Sequence, residues 1–354
     1  MLYGIAAATS ALLLAAFLAA LFRLPALRLG IVDRRRLRPL PLLGGAGVVL
    51  ATCMVVAGME WTGAAPLGPG IGRLLIAAGS VAVLGLVADV LRVKARFLIG
   101  GTAVAAACVV PYRETGLPLG LLAVGWIVLV TVAFKALDHA DALAGTVGVV
   151  TAFGVGLCAA AEVMDELAVL LSVLAAALTG FLMHNWHPAR VGLGACGSLF
   201  VGFVLASSAV MTRAGHDPVS SLAVLYALTA LATADVLLVV LSRRLAGRPL
   251  LRRGPDHLAH RLRRLGLTPQ GVTVLLGVAA FAGVLVGVLV HMGWVARSGV
   301  LWVGAVVLVA VLALLHIKPY GPRRQPSFPV GEPVRVPNSV TSTQVREPLR
   351  VRNG

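Results

Sequence analysis

Four aspartates lie within or at the ends of long apolar stretches of the sequence: Asp89, Asp138, Asp141 and Asp235. Ionisable side chains at membrane depth are costly, so they usually face a bundle interior or a wet cavity and mark a functional site. We interpret the four aspartates as candidate residues of such a site. The alternative interpretation is that each aspartate sits at the membrane interface and pairs with an arginine of a neighbouring loop.

A basic segment over residues 243–264, RRLAGRPLLRRGPDHLAHRLRR, offers groups that bind phosphate. Guanidinium forks such as those of Arg243 and Arg244 suit bidentate contacts with phosphate oxygens, and His257 and His260 can add hydrogen bonds or a proton. The segment therefore predicts a phosphate site. The same composition is also typical of a basic amphipathic loop attracted to lipid head groups.

A glycine-bearing stretch, Gly192 to Ser198, opens the eighth apolar segment. Backbone N–H groups at a helix start can bind a phosphate, which makes Gly194, Gly197 and Ser198 candidate binding residues. Glycines in membrane helices also serve close packing, so both interpretations stay open.

The composition indicates that these residues belong to a membrane protein. Of 354 residues, 59% are hydrophobic and only 12% are charged, against about 25% charged in average soluble domains. This excludes an ordinary soluble protein, a disordered chain and a disulfide-stapled secreted domain. The four cysteines lie in apolar stretches without metal-ligand spacing, as small buried side chains do.

The apolar stretches predict an all-α polytopic integral membrane protein with about eleven transmembrane helices, because a helix needs about 20 apolar residues to span a bilayer. Residues 1–317 form the predicted membrane domain. Residues 318–354 form a basic, Pro-rich tail that we expect to be disordered. The predicted spans are 2–22, 42–59, 74–91, 97–112, 117–136, 143–161, 166–183, 193–211, 219–241, 273–293 and 298–316.

The connecting loops alternate sharply in charge. One side holds nearly all the basic residues, and the other holds only Arg73, Arg113, Arg213 and Arg297. The positive-inside rule therefore places the N-terminus outside and the C-terminus in the cytoplasm of a multi-pass cell-membrane protein. The basic side consists of the tail and of loops 23–41, 92–96, 135–142, 184–194 and 242–272, which we call the site face.

The net charge of +16 follows from this topology. Basic loops also attract anionic membrane lipids, so the charge requires no nucleic-acid partner.

Five sequence blocks, in order, resemble motif blocks of the polyprenyl-phosphate N-acetylhexosamine-1-phosphate transferases, which form glycosyltransferase family 4. The family motifs are P-x-P-x-x-G-G, G-x-x-D-D, N-A-x-N-x-x-D-G-x-D-G-L, N-x-x-P-A-x-x-F-x-G-D-x-G-S and D-T…R-R…H-L-H-H-R-L. The matching segments are 33–45, 85–89, 132–143, 185–198 and 235–262.

The resemblance implies transfer of a sugar phosphate. In this family, the phosphate of a polyprenyl lipid attacks the β-phosphate of a UDP-sugar and releases UMP, while magnesium neutralises the diphosphate and an aspartate pair assists the nucleophile. It implies polyprenyl phosphate and a UDP-sugar as partners in cell-wall or surface-glycan assembly, and a homodimer as a further possibility. The implied catalytic residues are Asp89, Asp138 and Asp141. The implied substrate-binding residues are Lys135, Asn185, Gly194, Gly197, Ser198, Arg243, Arg244, His257 and His260.

The sequence departs from the family where the chemistry takes place. Ala88 replaces the first aspartate of the D-D pair, Ala195 replaces the metal-binding aspartate, and Lys135 replaces an asparagine beside the metal. Alanine offers no ligand and a lysine repels Mg²⁺, so we expect no metal at these positions and no cofactor. Further departures are Val132, His139, Ala142 and Ala259.

Two interpretations of Lys135 follow. Its ammonium group could stand beside a diphosphate in place of the metal, or it could pair with Asp89, Asp138 or Asp141.

Two functional classes also stay open. One is a divergent transferase with lost or much reduced Mg²⁺-dependent catalysis. The other is a pseudoenzyme that binds lipid phosphate or nucleotide and regulates an active homologue.

Overall fold

A computed structural model describes residues 2–33, 39–63, 68–91, 93–249 and 254–317, and most of these residues are helical. The predicted tail 318–354 and the arginines within 34–38 and 250–253 lie outside the described residues. In chain order the helices are α1 Leu2–Arg28, α2 Gly44–Trp61, α3 Pro69–Val90, α4 Ala95–Val109, α5 Tyr112–Leu137, α6 Leu143–Ala161, α7 Asp165–Asn185, α8 Gly194–Met211, α9 Pro218–Leu228, α10 Ala230–Leu245, α11 Leu258–Arg264, α12 Pro269–His291 and α13 Gly299–Leu315.

The helices confirm the prediction of an all-α multi-pass membrane protein. Eight helices of the described chain are long and apolar enough to cross a membrane, namely α1, α2, α3, α5, α6, α7, α8 and α12. Helices α9 and α10 together would make a ninth span, bent by 80° at Thr229, and α4 and α13 are shorter apolar helices. The count of eleven spans and the orientation stay predictions.

Helix α8 lies at the centre of the bundle. Every residue from Gly194 to Val210 is buried, and α8 packs against α2, α3, α5 and α6. Glycines allow the closest approaches, because a Cβ at Gly45 would meet the Leu193 carbonyl and one at Gly85 would meet the Ala195 carbonyl. The beginning of α8 is therefore held between the backbones of α2 and α3.

Two small elements lie in segments that the sequence analysis assigned to loops. Strands β1 (Val32–Asp33) and β2 (Leu40–Pro41) pair antiparallel, with Val32 opposite Pro41. Helix α11 lies in the basic segment, where the apolar pattern used to find spans gives no signal for a seven-residue helix. Its first residues pack against α10 through Asp235.

Candidate functional site

The loop between α5 and α6 is held by Asn185 at the end of α7. The Ala142 N–H donates to Asn185 Oδ1 (2.9 Å), and Asn185 Nδ2 donates to the Val191 carbonyl (2.7 Å). Ala142 adopts a left-handed backbone (φ 60°) at a position where the family motif has glycine. The buried Asn185 amide, which we predicted to bind substrate, thus joins two loops of the site face.

Asp141 strengthens the same connection. Its carboxylate accepts hydrogen bonds from His187 Nδ1 (2.7 Å) and from the Ala189 N–H (3.2 Å). Its backbone carbonyl accepts a hydrogen bond from the Thr273 hydroxyl of α12 (3.0 Å). This predicted catalytic carboxylate therefore links the loop before α6 to the loop before α8 and to α12.

Asp89 lies at the beginning of α8. Its two carboxylate oxygens accept hydrogen bonds from the backbone N–H groups of Ala195 (2.9 Å) and Cys196 (3.0 Å). These groups are among the N-terminal donors that a helix leaves unsatisfied, and the positive end of the helix dipole favours a carboxylate there. The carboxylate thus occupies the N–H groups that the glycine-bearing stretch offers to an anion.

The predicted phosphate-binding residues of that stretch lie inside the protein. Gly194 has a left-handed backbone (φ 68°), and its Cα faces Asp89 closely enough that a Cβ would lie 2.7 Å from Asp89 Oδ2. Gly197 packs against Gly45, and the Ser198 hydroxyl donates to the Gly194 carbonyl (2.6 Å). The structure gives these residues packing contacts, and their binding to phosphate stays a prediction.

The arginines of the basic segment divide into buried and exposed members. Arg243 Nε donates to Asp256 Oδ2 (3.0 Å), and this ion pair is buried. Arg244, the next residue, is exposed. Only one of the two predicted phosphate-binding arginines is therefore presented to solvent.

Arg261 is a second buried arginine of the basic segment. It donates to the Asp256 carbonyl (3.1 Å), to the carbonyls of Leu314 (2.7 Å) and Ile317 (2.8 Å), and to the Ser242 hydroxyl. Asp256 and Arg261 fix α11 between α10 and the end of α13. The sequence analysis did not single out either residue, because charged residues in an arginine-rich loop are expected on the surface.

A cluster of histidines lies between the α5–α6 loop and α11. His257 Nδ1 donates to Asp235 Oδ2 (2.8 Å), and the Leu258 N–H donates to Asp235 Oδ1 (2.8 Å). The His139 ring stacks on His257 with centroids 4.2 Å apart and lies 4.9 Å from the ring of His260. Burial, followed by the positive form of His257, lowers the pKa of His139 to about 3, so its ring is neutral near pH 7.

The remaining predicted site residues lie beside this cluster in the chain. Lys135 is in the last turn of α5, and Asp138 is the C-cap residue of that helix. Both are half-buried. The loop 138–142 contacts residues 185–191 through hydrogen bonds and contacts His257 through ring stacking. These contacts bring the predicted residues into one connected region.

An apolar groove of about 320 Å³ lies beside the bend between α9 and α10. Its walls come from α5, α9, α10 and α13, and Ala234 and Val236 contribute from α10 on either side of the buried Asp235. The groove residues are Trp126, Leu129, Tyr226, Thr233, Ala234, Val236, Leu237, Val240 and Val307.

These features define a multi-pass helical membrane protein with connected polar loops beside an apolar groove. The family description "Glycosyl transferase family 4" matches residues 72–213. The chain is 64% identical to a protein of Streptomyces coelicolor named as a glycosyltransferase, over 91% of this chain and 80% of that protein. The chain therefore belongs to glycosyl transferase family 4, the family of the polyprenyl-phosphate N-acetylhexosamine-1-phosphate transferases.

Two further relatives have named activities. A phospho-N-acetylmuramoyl-pentapeptide-transferase of Moorella thermoacetica is 35% identical over 56% of this chain and 59% of the enzyme. A decaprenyl-phosphate N-acetylglucosaminephosphotransferase of Mycolicibacterium smegmatis is 26% identical over 73% of this chain and 76% of the enzyme. The name of the second relative thus states a decaprenyl phosphate as its lipid substrate.

Two positions at which the family motifs have carboxylates offer no oxygen ligand for the Mg²⁺ that the family implies. Mg²⁺ requires octahedral oxygen ligation, commonly by one or two carboxylates. Ala88 and Ala195 provide no oxygen from their side chains, Asp89 binds the start of α8, and Asp141 binds His187 and Ala189. Within the described chain, the group of three metal-ligand side chains that lie close together is His139, Asp235 and His257, which is rich in nitrogen.

Proposed function

We propose that this chain binds a polyprenyl phosphate and a UDP-N-acetylhexosamine on the cytoplasmic site face, and that Mg²⁺-dependent sugar-phosphate transfer is lost or much reduced. The name of the Mycolicibacterium relative supports a polyprenyl phosphate and an N-acetylglucosamine phosphate as substrate groups, and the family resemblance adds the UDP carrier. The basic loops support a cytoplasmic face in the cell membrane. The proposed setting is cell-wall or surface-glycan assembly.

The groove beside α10 supports binding of the lipid. It is almost wholly apolar and lies at the bend of a broken helix, and a chain of isoprene units buries apolar surface in such a groove. Helix α10 carries groove residues such as Val240 and then continues into Ser242 and Arg244 at the start of the basic segment. A lipid tail in the groove would therefore place its phosphate toward the basic loops.

The observation that carries the proposal is the position of Asp89. In sugar-phosphate transfer, catalysis consists mainly of neutralising the diphosphate and aligning the attacking oxygen. Here the aspartate that remains of the family pair binds the N–H groups of Ala195 and Cys196, while Ala88 and Ala195 supply no carboxylate. Without a metal held between the phosphates, the rate should fall by orders of magnitude.

A second function accounts for the same observation. A chain that keeps the substrate loops but lacks the metal ligands can act as a pseudoenzyme that binds lipid phosphate or nucleotide and regulates an active homologue. The buried contacts of Asn185 and Asp141 keep these loops in place without any metal, which favours retained binding.

The binding part of the proposal is tested with purified protein in detergent. Equilibrium dialysis with radiolabelled UDP-N-acetylglucosamine, with and without undecaprenyl phosphate, should give saturable binding in the absence of Mg²⁺. Arg244→Gln should weaken it because it removes an exposed guanidinium of the proposed phosphate site, while Arg297→Gln, on the opposite side by the charge pattern, should not. Binding that is absent, or equally weakened by both variants, would overturn this part.

A further inference from the structure

The cluster of His139, His257 and Asp235 has the donor atoms of a metal centre. One nitrogen from each ring and one oxygen from the carboxylate all lie within 4.8 Å of one another. Ligand atoms around a tetrahedral zinc ion lie about 3.3 Å apart, which follows from metal–ligand distances near 2.0 Å. The donor atoms that are farthest apart would thus move together by about 1.5 Å around an ion.

The hydrogen bonds of the two rings leave the right nitrogens available. His139 Nδ1 donates to the Ala136 carbonyl (2.7 Å), and His257 Nδ1 donates to Asp235 Oδ2 (2.8 Å). In both rings this fixes the proton on Nδ1, so the lone pair is on Nε2. Metal-binding histidines almost always show this arrangement, with the other ring nitrogen bound to a carboxylate or carbonyl.

His139 provides a second and independent observation. Its Nε2 atom is buried and has no hydrogen-bond partner among the described residues. A buried acceptor without a partner costs free energy, so such an atom calls for an explanation. The His139 ring is stacked on the His257 ring, at a centroid distance of 4.2 Å, so it is part of the cluster.

Imidazole nitrogen selects a particular class of ion. Nitrogen donors suit Zn²⁺, Co²⁺, Ni²⁺ and Cu²⁺, whereas Mg²⁺ prefers carboxylate, phosphate and water oxygens. His260, whose ring lies 4.9 Å from that of His139, is placed to add a third imidazole ligand. The donor set therefore differs from that of the family's Mg²⁺ in both chemistry and residues.

We propose that His139 and His257, with Asp235 orienting His257 and with His260 beside them, bind a divalent transition-metal ion of the Zn²⁺ class. The ion joins the loop after α5 to the start of α11, which Asp235 holds against α10. One ring turns out of the stack so that both Nε2 atoms face the ion. The inference goes beyond the proposed function, because it needs neither substrate nor catalysis.

The test uses the full chain purified in detergent through an affinity tag that contains no histidine. After chelation and removal of the chelator, Zn²⁺ is added and bound metal is measured by mass spectrometry, and Co²⁺ is added separately to record the visible absorption of a tetrahedral site. We expect roughly one Zn²⁺ per chain, no displacement by excess Mg²⁺, and a rise in the thermal unfolding temperature with Zn²⁺.

Matched variants assign the ion to the cluster. His139→Gly restores the residue of the family motif, so the chain should fold and lose the bound ion and the Zn²⁺-dependent thermal shift. His316→Asn removes an exposed histidine directly after α13 and should change neither. Asp235→Asn should weaken Zn²⁺ about 10- to 100-fold, as loss of an oriented carboxylate does.

Three results would overturn the proposal. They are no bound Zn²⁺ in the native chain, equal Zn²⁺ binding by native chain and folded His139→Gly, and loss of binding in His316→Asn.

Discussion

The carboxylate of Asp89 accepts hydrogen bonds from Ala195, 106 positions later in the chain, at the first turn of α8. Ala195 stands where the family motif has its metal-binding aspartate. The structure thus brings a carboxylate from α3 to the helix start and directs it at backbone N–H groups. Asp89, which belongs to the family's D-D pair, and Ala195, at the position of the family's metal-binding aspartate, here join two helices.

This relationship predicts a role for Asp89 in stability. Asp89→Ala leaves the N–H groups of Ala195 and Cys196 without their acceptor inside the bundle and should lower the free energy of unfolding by about 2 kcal/mol. Thermal unfolding in detergent, followed by tryptophan fluorescence, measures the change. Asp165→Ala in the first turn of α7 is the control. Because Asp165 is exposed, this substitution should lower the free energy of unfolding by about 0.5 kcal/mol or less. Equal effects of the two substitutions would contradict the capping role.

The left-handed backbone of Ala142 predicts a stabilising substitution. Ala142→Gly relieves a conformation that costs a non-glycine residue roughly 1 kcal/mol, and part of this gain is offset by the greater freedom of glycine in the unfolded chain. We expect a small rise in the unfolding temperature.

Ala140→Gly in the same loop serves as the control for Ala142→Gly. Ala140 has no positive φ, so this change should lower the unfolding temperature. A lower unfolding temperature for both variants would show that the Ala142 backbone is not strained.

Substitutions of the two neighbouring arginines of α10 should have different effects, one on stability and the other on nucleotide binding. Arg243→Gln leaves Asp256 buried without its ion-pair partner and should destabilise the protein by about 3 kcal/mol or more. Arg244→Gln, at an exposed position, should leave the unfolding temperature within experimental scatter while weakening nucleotide binding. Both effects are read from thermal unfolding and dialysis on the same preparations. Loss of stability in Arg244→Gln would contradict the assignment.

The sequence predicted the helices better than the site. Each of the eleven apolar segments overlaps a helix, because hydropathy records directly which residues leave water. The break at Thr229 has no such signal, since α9 and α10 are both apolar and the 80° bend depends on packing against α12 and α13. The number of membrane crossings stays a prediction for the same reason.

Some residues of the site could be predicted from the sequence and others could not. Asp138 and Asp141 were found because charged residues near apolar stretches are unusual, and His257 because it lies in a basic segment suited to phosphate. The burial of Arg261 was missed, since it depends on the α13 carbonyls of Leu314 and Ile317, which approach only in the folded bundle. His139 was recognised only as the replacement of a family glycine, because its stacking on His257 joins positions 118 residues apart, an interval that no local pattern encodes.

The loss of Mg²⁺-dependent sugar-phosphate transfer is measured as the rate at which the chain turns over its proposed substrates. Purified chain in detergent is given undecaprenyl phosphate and radiolabelled UDP-N-acetylglucosamine, and UMP release is followed in chelator and after Mg²⁺ is restored. The matched variant is Ala88→Asp/Ala195→Asp/Lys135→Asn, which returns the family carboxylates. We predict that Mg²⁺ leaves the native rate unchanged and accelerates the variant. A native chain that instead needs Mg²⁺ and turns over at about 1 s⁻¹ or more would be within the range of ordinary enzymes. That result would contradict the proposed loss of Mg²⁺-dependent transfer.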